Sequence, residues 1–169
     1  MNTQGHARLA FIPLLMVAGI AAYGCNTARF TDEMRQQETS MASEATQWSD
    51  QLAQWDREHA DHKERLAGHA AGKTNAARVE AVKDLESKMT AHESDVSNFR
   101  RDLEAHIANV QAEQAKPESQ RAAAHVALWA EHLKLKTRQE MLASQHQALM
   151  EAHEELVASA VGTHKEGNY

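Results

Sequence analysis

The sequence predicts an all-α protein: an elongated antiparallel three-helix bundle with coiled-coil-like heptad packing. Three observations predict it. Apolar residues recur three and four apart along most of the chain, the spacing that places them on one face of a helix. Beyond Phe30 the composition is rich in Ala, Glu and Gln and poor in β-branched residues, which favours helix over strand. Two breaks, GHAAGKTN and AKPES, divide this polar region into three segments.

The first segment, about 31–67, carries Met34, Met41, Ala45, Trp48, Leu52, Trp55 and Leu66 on its seam. Gly68 and Gly72 are expected to stop it, with Thr74 and Asn75 as N-caps for the second helix. That second segment, about 75–115, has the clearest seam: Val82, Leu85, Met89, Val96, Phe99, Leu103 and Val110. Pro117 suits the first turn of a third helix, about 117–161, whose Leu128, Leu135, Leu142, Leu149 and Leu156 recur every seven residues. Gly162 should end it, leaving 162–169 as a flexible tail.

The phases of these seams decide between kinks and turns. Sevens counted from Val110 reach Pro117 and Ala124, whereas the third seam needs His125; sevens counted from Leu66 miss Val82 by two. A slip of one residue rotates the stripe by about 100°, so a straight helix cannot keep both seams together. The slips coincide with the breaks, and short connections make consecutive helices antiparallel. Helices of this length span roughly 55–65 Å.

The start of the chain reads differently. MNTQGHAR carries Arg8 and no acid, LAFIPLLMVAGI is a short apolar run, and small residues lead to Cys25, the only cysteine. These are the parts of a secretory signal, and the uncharged run from Leu9 to Gly24 falls short of the ~20 residues of a membrane-spanning helix. Ala22-Tyr23-Gly24-Cys25 resembles the lipobox of bacterial lipoproteins, with Ala22 and Tyr23 where the common pattern has Leu and a smaller residue. The resemblance covers only residues 1–25. It implies a signal peptide over 1–24, cleavage before Cys25, a diacylglycerol on its sulfur and an acyl chain on the new amino group. Residues 25–30 are then the lipidated cysteine and a short linker, followed by the bundle over 31–161. Asn26 in place of Asp would favour the outer membrane, periplasmic face, of a Gram-negative cell. Acylation also accounts for a lone cysteine in an oxidising compartment, where a free thiol is a liability.

Histidine is the unusual residue. Ten remain once His6 leaves with the signal, and nine fall in the seam register: His59, His62, His69, His92, His106, His125, His132, His146 and His153. In the third helix the alternative register would bury Glu131 and Arg138. Reflecting the helices about turns near 71 and 116 brings His106 opposite His125 with Glu38 nearby, and His59 and His62 towards His146 with Asp56 one turn before His59. Imidazole and carboxylate from facing helices are how bundles hold a divalent transition metal, so Asp56, His59, His62 and His146 form one candidate set, and Glu38, His106 and His125 another. Structural or pH-responsive histidines are the competing reading.

The net charge of −6, becoming −7 when Arg8 is removed, offers no footprint for nucleic acid. No Glu-x-x-His pair, Cys-x-x-Cys-His, Gly-rich phosphate loop or nucleophile elbow occurs, and an enzyme is not expected. The expectation is a lipid-anchored cell-envelope protein acting as a spacer or docking for an envelope partner, with self-association open. The alternative is a histidine-rich periplasmic metal-binding, metal-sensing or chaperone-like protein. The Leu-Thr-x-x-Gln motif of helical periplasmic chaperones is missing; Leu135-Lys136-Thr137-Arg138-Gln139 is only a distant echo.

Overall fold

The computed structural model describes residues 31–70 and 76–162, and the side chains of residues 69, 70 and 160–162 lie outside that description. Three helices form: α1 (Asp32–Ala70), α2 (Ala76–Gln114) and α3 (Glu118–Gly162). Among the described residues there is no strand, and no helix is long and apolar enough to cross a membrane. The expected signal and linker over 1–30, with Cys25 and Asn26, the caps Thr74 and Asn75, and the tail 163–169 all lie outside the described residues.

The helix ends follow from local chemistry. Thr31 caps α1: its Oγ1 accepts from the Met34 amide at 3.2 Å while its carbonyl accepts from the Arg35 amide at 3.1 Å. Asp32 and Glu33 place negative charge in the first turn, where the helix dipole favours it. At the second connection, the Gln120 amide donates to the Pro117 carbonyl at 2.8 Å as α3 begins. Gly68 does not stop α1, which runs on to Ala70. A side chain added there would meet nothing within 4 Å, so its cost is helix propensity alone.

Side-chain pairs fix the arrangement. Gln37–His125, Glu44–His132, Gln51–Gln139 and Glu58–His146 all hydrogen-bond between α1 and α3. Each pair is one heptad after the last and the offset between partners is constant at 88 residues, so α1 and α3 run parallel in strict register. Arg35 clamps Glu118 with two bonds of 3.0 Å, joining the first turns of the same two helices. Helix α2 runs the other way and packs against both.

Buried positions alternate three and four apart without a break along α1 from Glu38 to Leu66 and along α2 from Val82 to Val110. They do not form a single apolar core. One block joins Trp48, Leu52, Trp55, Val96, Phe99, Leu103, Leu135 and Leu142, and a second joins Leu66, Val82, Leu85, Met89 and Leu149. On every helix the residues between these blocks are histidines: His59 and His62 on α1, His92 on α2, His146 on α3. Beyond the other end of the first block lie His106, His125 and His132.

Candidate metal centre

Eight of the nine seam histidines are buried, and the side chain of the ninth, His69, is outside the description. Replacing water around an imidazole is unfavourable unless its nitrogens find partners, at about 1–3 kcal/mol for each group left unsatisfied. The partners therefore say what each layer is built for.

In the layer between the two apolar blocks, each helix contributes one ring: His59 from α1, His92 from α2 and His146 from α3. One nitrogen of each lies within 4.8 Å of the other two. The outer sides of these rings face acceptors. His146 Nε2 meets Glu58 Oε2 at 2.6 Å, and His92 Nε2 meets the Leu142 carbonyl at 3.1 Å. Carboxylate and carbonyl oxygens only accept, so both nitrogens carry the proton. A neutral ring then presents a bare lone pair at its other nitrogen, Nδ1 in each case. His92 Nδ1 stands 3.2 Å from His59 Nε2, and His146 Nδ1 is buried with no hydrogen-bond partner among the described residues. His59 differs: with His92 Nδ1 unprotonated, His59 Nε2 donates the 3.2 Å bond between them, and its Nδ1, 3.9 Å from Glu93 Oε1, makes no hydrogen bond among the described residues. Trp55 stacks on His146 at 4.9 Å and tilts against His92 at 5.7 Å, bracing both rings.

Burial disfavours the charged form of His59 and of His146. Burial pushes His59 down to about 4, and the neighbouring His92 and His146 push the same way against Glu93. Burial also lowers His146, opposed by its bond to Glu58. Burial pushes Glu58 up, yet it ends below the ordinary carboxylate range because Gln54 and His146 donate to it. Neutral imidazoles backed by ionised carboxylates are the state that ligates metal.

Two further layers use paired histidines. His62 Nδ1 and His153 Nδ1 are 2.7 Å apart, with the exposed Glu154 beside them. At the opposite end of the central block, His132 Nδ1 and His106 Nε2 are 3.3 Å apart. Their outer nitrogens face Glu44 at 3.2 Å and Glu131 at 3.4 Å. Trp48 and Trp129 stack on the His132 ring at 4.9 and 5.5 Å.

The sequence-derived sets are partly reassembled. His59 and His146 come together as expected, but His62 pairs with His153 and its place is taken by His92. Asp56 is exposed and salt-bridged to Arg100 at 2.6 Å, not turned to the histidines. Glu38 is buried against Arg121 at 2.8 Å, and its charge acts on His125, which hydrogen-bonds Gln37 at 2.7 Å. His106 pairs with His132, one heptad beyond His125. For His106 and His92 the cause is stagger: the contacts 106–132 and 92–146 are both symmetric about residue 119, not 116. A three-residue shift in the centre of reflection changes each partner by six, nearly a heptad. The 59–92 contact shows a shift of the same sense for the first pair of helices. His92 carries the right signal, a seam position, but the unstaggered reflection leaves it without a partner.

The molecule is thus an all-α bundle whose apolar core is interrupted by layers of facing histidines. No protein-family model, curated protein or solved structure matches the chain.

Proposed function

We propose that this protein binds a divalent transition metal at His59, His92 and His146, on a bundle tethered to the cell envelope through a lipidated Cys25. The observation that carries the metal reading is the direction of the protons. The two rings with acceptor-bonded outer nitrogens turn lone pairs inward, and His59 needs only its proton on the Glu93 side to do the same. Without a cation His59 keeps its proton on Nε2 and bonds His92; with one, that proton shifts to Nδ1 and all three lone pairs face the ion. A metal at 2.0–2.1 Å from each nitrogen in tetrahedral geometry separates neighbouring ligands by roughly 3.3 Å, and the His59–His92 separation is 3.2 Å. Glu58, Glu93 and the Leu142 carbonyl then serve as the outer partners that orient the rings and raise their basicity.

Three imidazoles suit zinc, copper or nickel, and leave a fourth position open. A groove of about 400 Å³ between α2 and α3 reaches His92 past Ala91, Ala148 and Ala152. Small side chains there keep the helices from sealing the site. The tether rests on the lipobox-like Ala22-Tyr23-Gly24-Cys25 and the apolar run before it. Two or more acyl chains hold a protein to a bilayer, whereas one alone is marginal.

Zinc, copper and nickel titrated into the chelator-stripped chain test the metal reading. Free metal at about 100 times its dissociation constant stabilises the folded state by about 2.7 kcal/mol, a rise of roughly 5–10 °C in Tm for a chain of this size. A His92→Leu variant should show a clearly smaller rise at the same metal concentration. Unchanged melting of the parent protein at millimolar metal defeats the reading. Mass spectrometry of the native protein tests the tether: an intact Met1 or an unmodified Cys25 thiol defeats it.

A further inference from the structure

We infer that His62, His153 and Glu154 form a second divalent-cation site, open to solvent and distinct from the three-histidine layer beside it. The inference rests on the same metal-binding reading but on different residues. His62 and His153 are both buried, and one ligand atom from each lies within 4.8 Å of the other and of a Glu154 carboxylate oxygen.

The pair is close to ligating geometry. Its Nδ1 atoms face each other at 2.7 Å with the rings nearly perpendicular, so one proton is shared between two lone pairs. Neighbouring nitrogens on a metal at about 2.0–2.1 Å sit roughly 3.0–3.3 Å apart, which the pair reaches by opening a few tenths of an ångström. The metal replaces the shared proton, which moves to an outer ring nitrogen or to solvent. Glu154 supplies negative charge at the outer edge, and the remaining coordination positions go to water.

The surroundings make this site weaker than the inner one. Arg65 Nη1 lies 3.7 Å from Glu154 and is drawn the other way by Asp61 at 2.9 Å, so a guanidinium competes for the carboxylate. His59 and His62 are also three apart on one face of α1, about 5–6 Å between Cβ atoms. Two divalent ions on neighbouring layers repel, and the outer one is held loosely once the inner site is filled. The ligand set, two imidazoles and a carboxylate with open positions, suits an exchangeable ion of the zinc, nickel or ferrous class.

Equilibrium dialysis of the full chain against zinc, followed by metal analysis, tests this. The parent protein should hold about two ions per chain at saturation, and His153→Leu or Glu154→Gln about one, the lost ion being the weaker. Glu154 is exposed, so Glu154→Gln leaves the fold intact. His92→Leu should lose the tighter ion and keep the outer one, while adding His153→Leu to it should abolish binding. A single ion in the parent protein overturns the inference, and so does a His153→Leu variant that binds as much zinc as its parent. If His92→Leu binds as much as the parent while His153→Leu binds none, the inner site fails and the outer one stands.

Discussion

Acidification should unfold this bundle in a window set by its buried histidines. His59 is 2 % exposed and held down to about 4, against about 6.5 in an unfolded chain. A histidine with a depressed folded pKa stabilises the fold fully above its unfolded value, and loses that contribution as pH falls towards the folded one. Proton linkage between 6.5 and 4 makes His59 alone responsible for a loss of about 2 kcal/mol at pH 5 relative to pH 7.5. His125, His132 and His146 are lowered by burial and add loss of the same sign. Glu44 and Glu58, held below the ordinary carboxylate range, stay ionised at pH 5 and contribute only when the medium becomes more acidic still. Urea unfolding followed by helical circular dichroism reads the effect directly. With a slope of about 2 kcal/mol per molar urea, the midpoint should fall by at least about 1 M between pH 7.5 and pH 5. A midpoint that stays put refutes the claim that these imidazoles are buried and neutral in the folded state.

Other perturbations act on the same packing. Leu142→Ala opens a cavity in the central apolar block, where Leu142 is fully buried, and should cost about 3 kcal/mol by urea unfolding at pH 7.5. Replacing His106 and His132 together by leucine removes the Glu131–His106–His132–Glu44 chain. Stability at pH 7.5 should stay within about 1 kcal/mol or rise, because two apolar side chains need no partners, and the loss on acidification should shrink. Copper binding should quench the fluorescence of Trp55, whose ring lies 4.9 Å from that of His146, and His146→Leu should abolish that quenching.

The helices are legible in the sequence because heptad spacing survives single-residue inspection. Phe99, Leu103 and Leu142 are buried where the seams put them, and the slips at Leu66/Val82 and Val110/His125 fall between separate helices. The second seam track of α3 also lies where the sequence puts it: His125, His132, His146 and His153 are all buried, whereas Arg138 and Glu131 remain partly exposed. What the sequence lacks is the relative height of neighbouring helices. Stagger depends on how the side chains of one helix fit between those of the next, and no single helix encodes it. That is why the heptad pattern sets every site histidine on the correct face, while simple reflection gives His106 the wrong partner and leaves His92 without one. The 88-residue offset between α1 and α3 shows that the missing information is regular: Gln37, Glu44, Gln51 and Glu58 lie a heptad apart, opposite residues with the same spacing.

The interruption of the core also carries meaning. Leucine at His59, His92 and His146 would join the two apolar blocks into one, with no lone pairs to satisfy. His59 and His146 lower stability at acidic pH, and His146 has an orientation partner, Glu58, that an apolar core does not need.

Cobalt(II) substituted into the metal-stripped chain gives the sharpest test of the three-histidine centre, because the colour of the ion reports its ligands. Cobalt held by His59, His92 and His146 should give the strong visible absorption of a tetrahedral, nitrogen-rich site, lost when His59, His92 and His146 are all leucine. A pale, six-coordinate spectrum in the parent protein, or a tetrahedral one that keeps its full strength in the triple leucine variant, means that these three rings do not hold the ion.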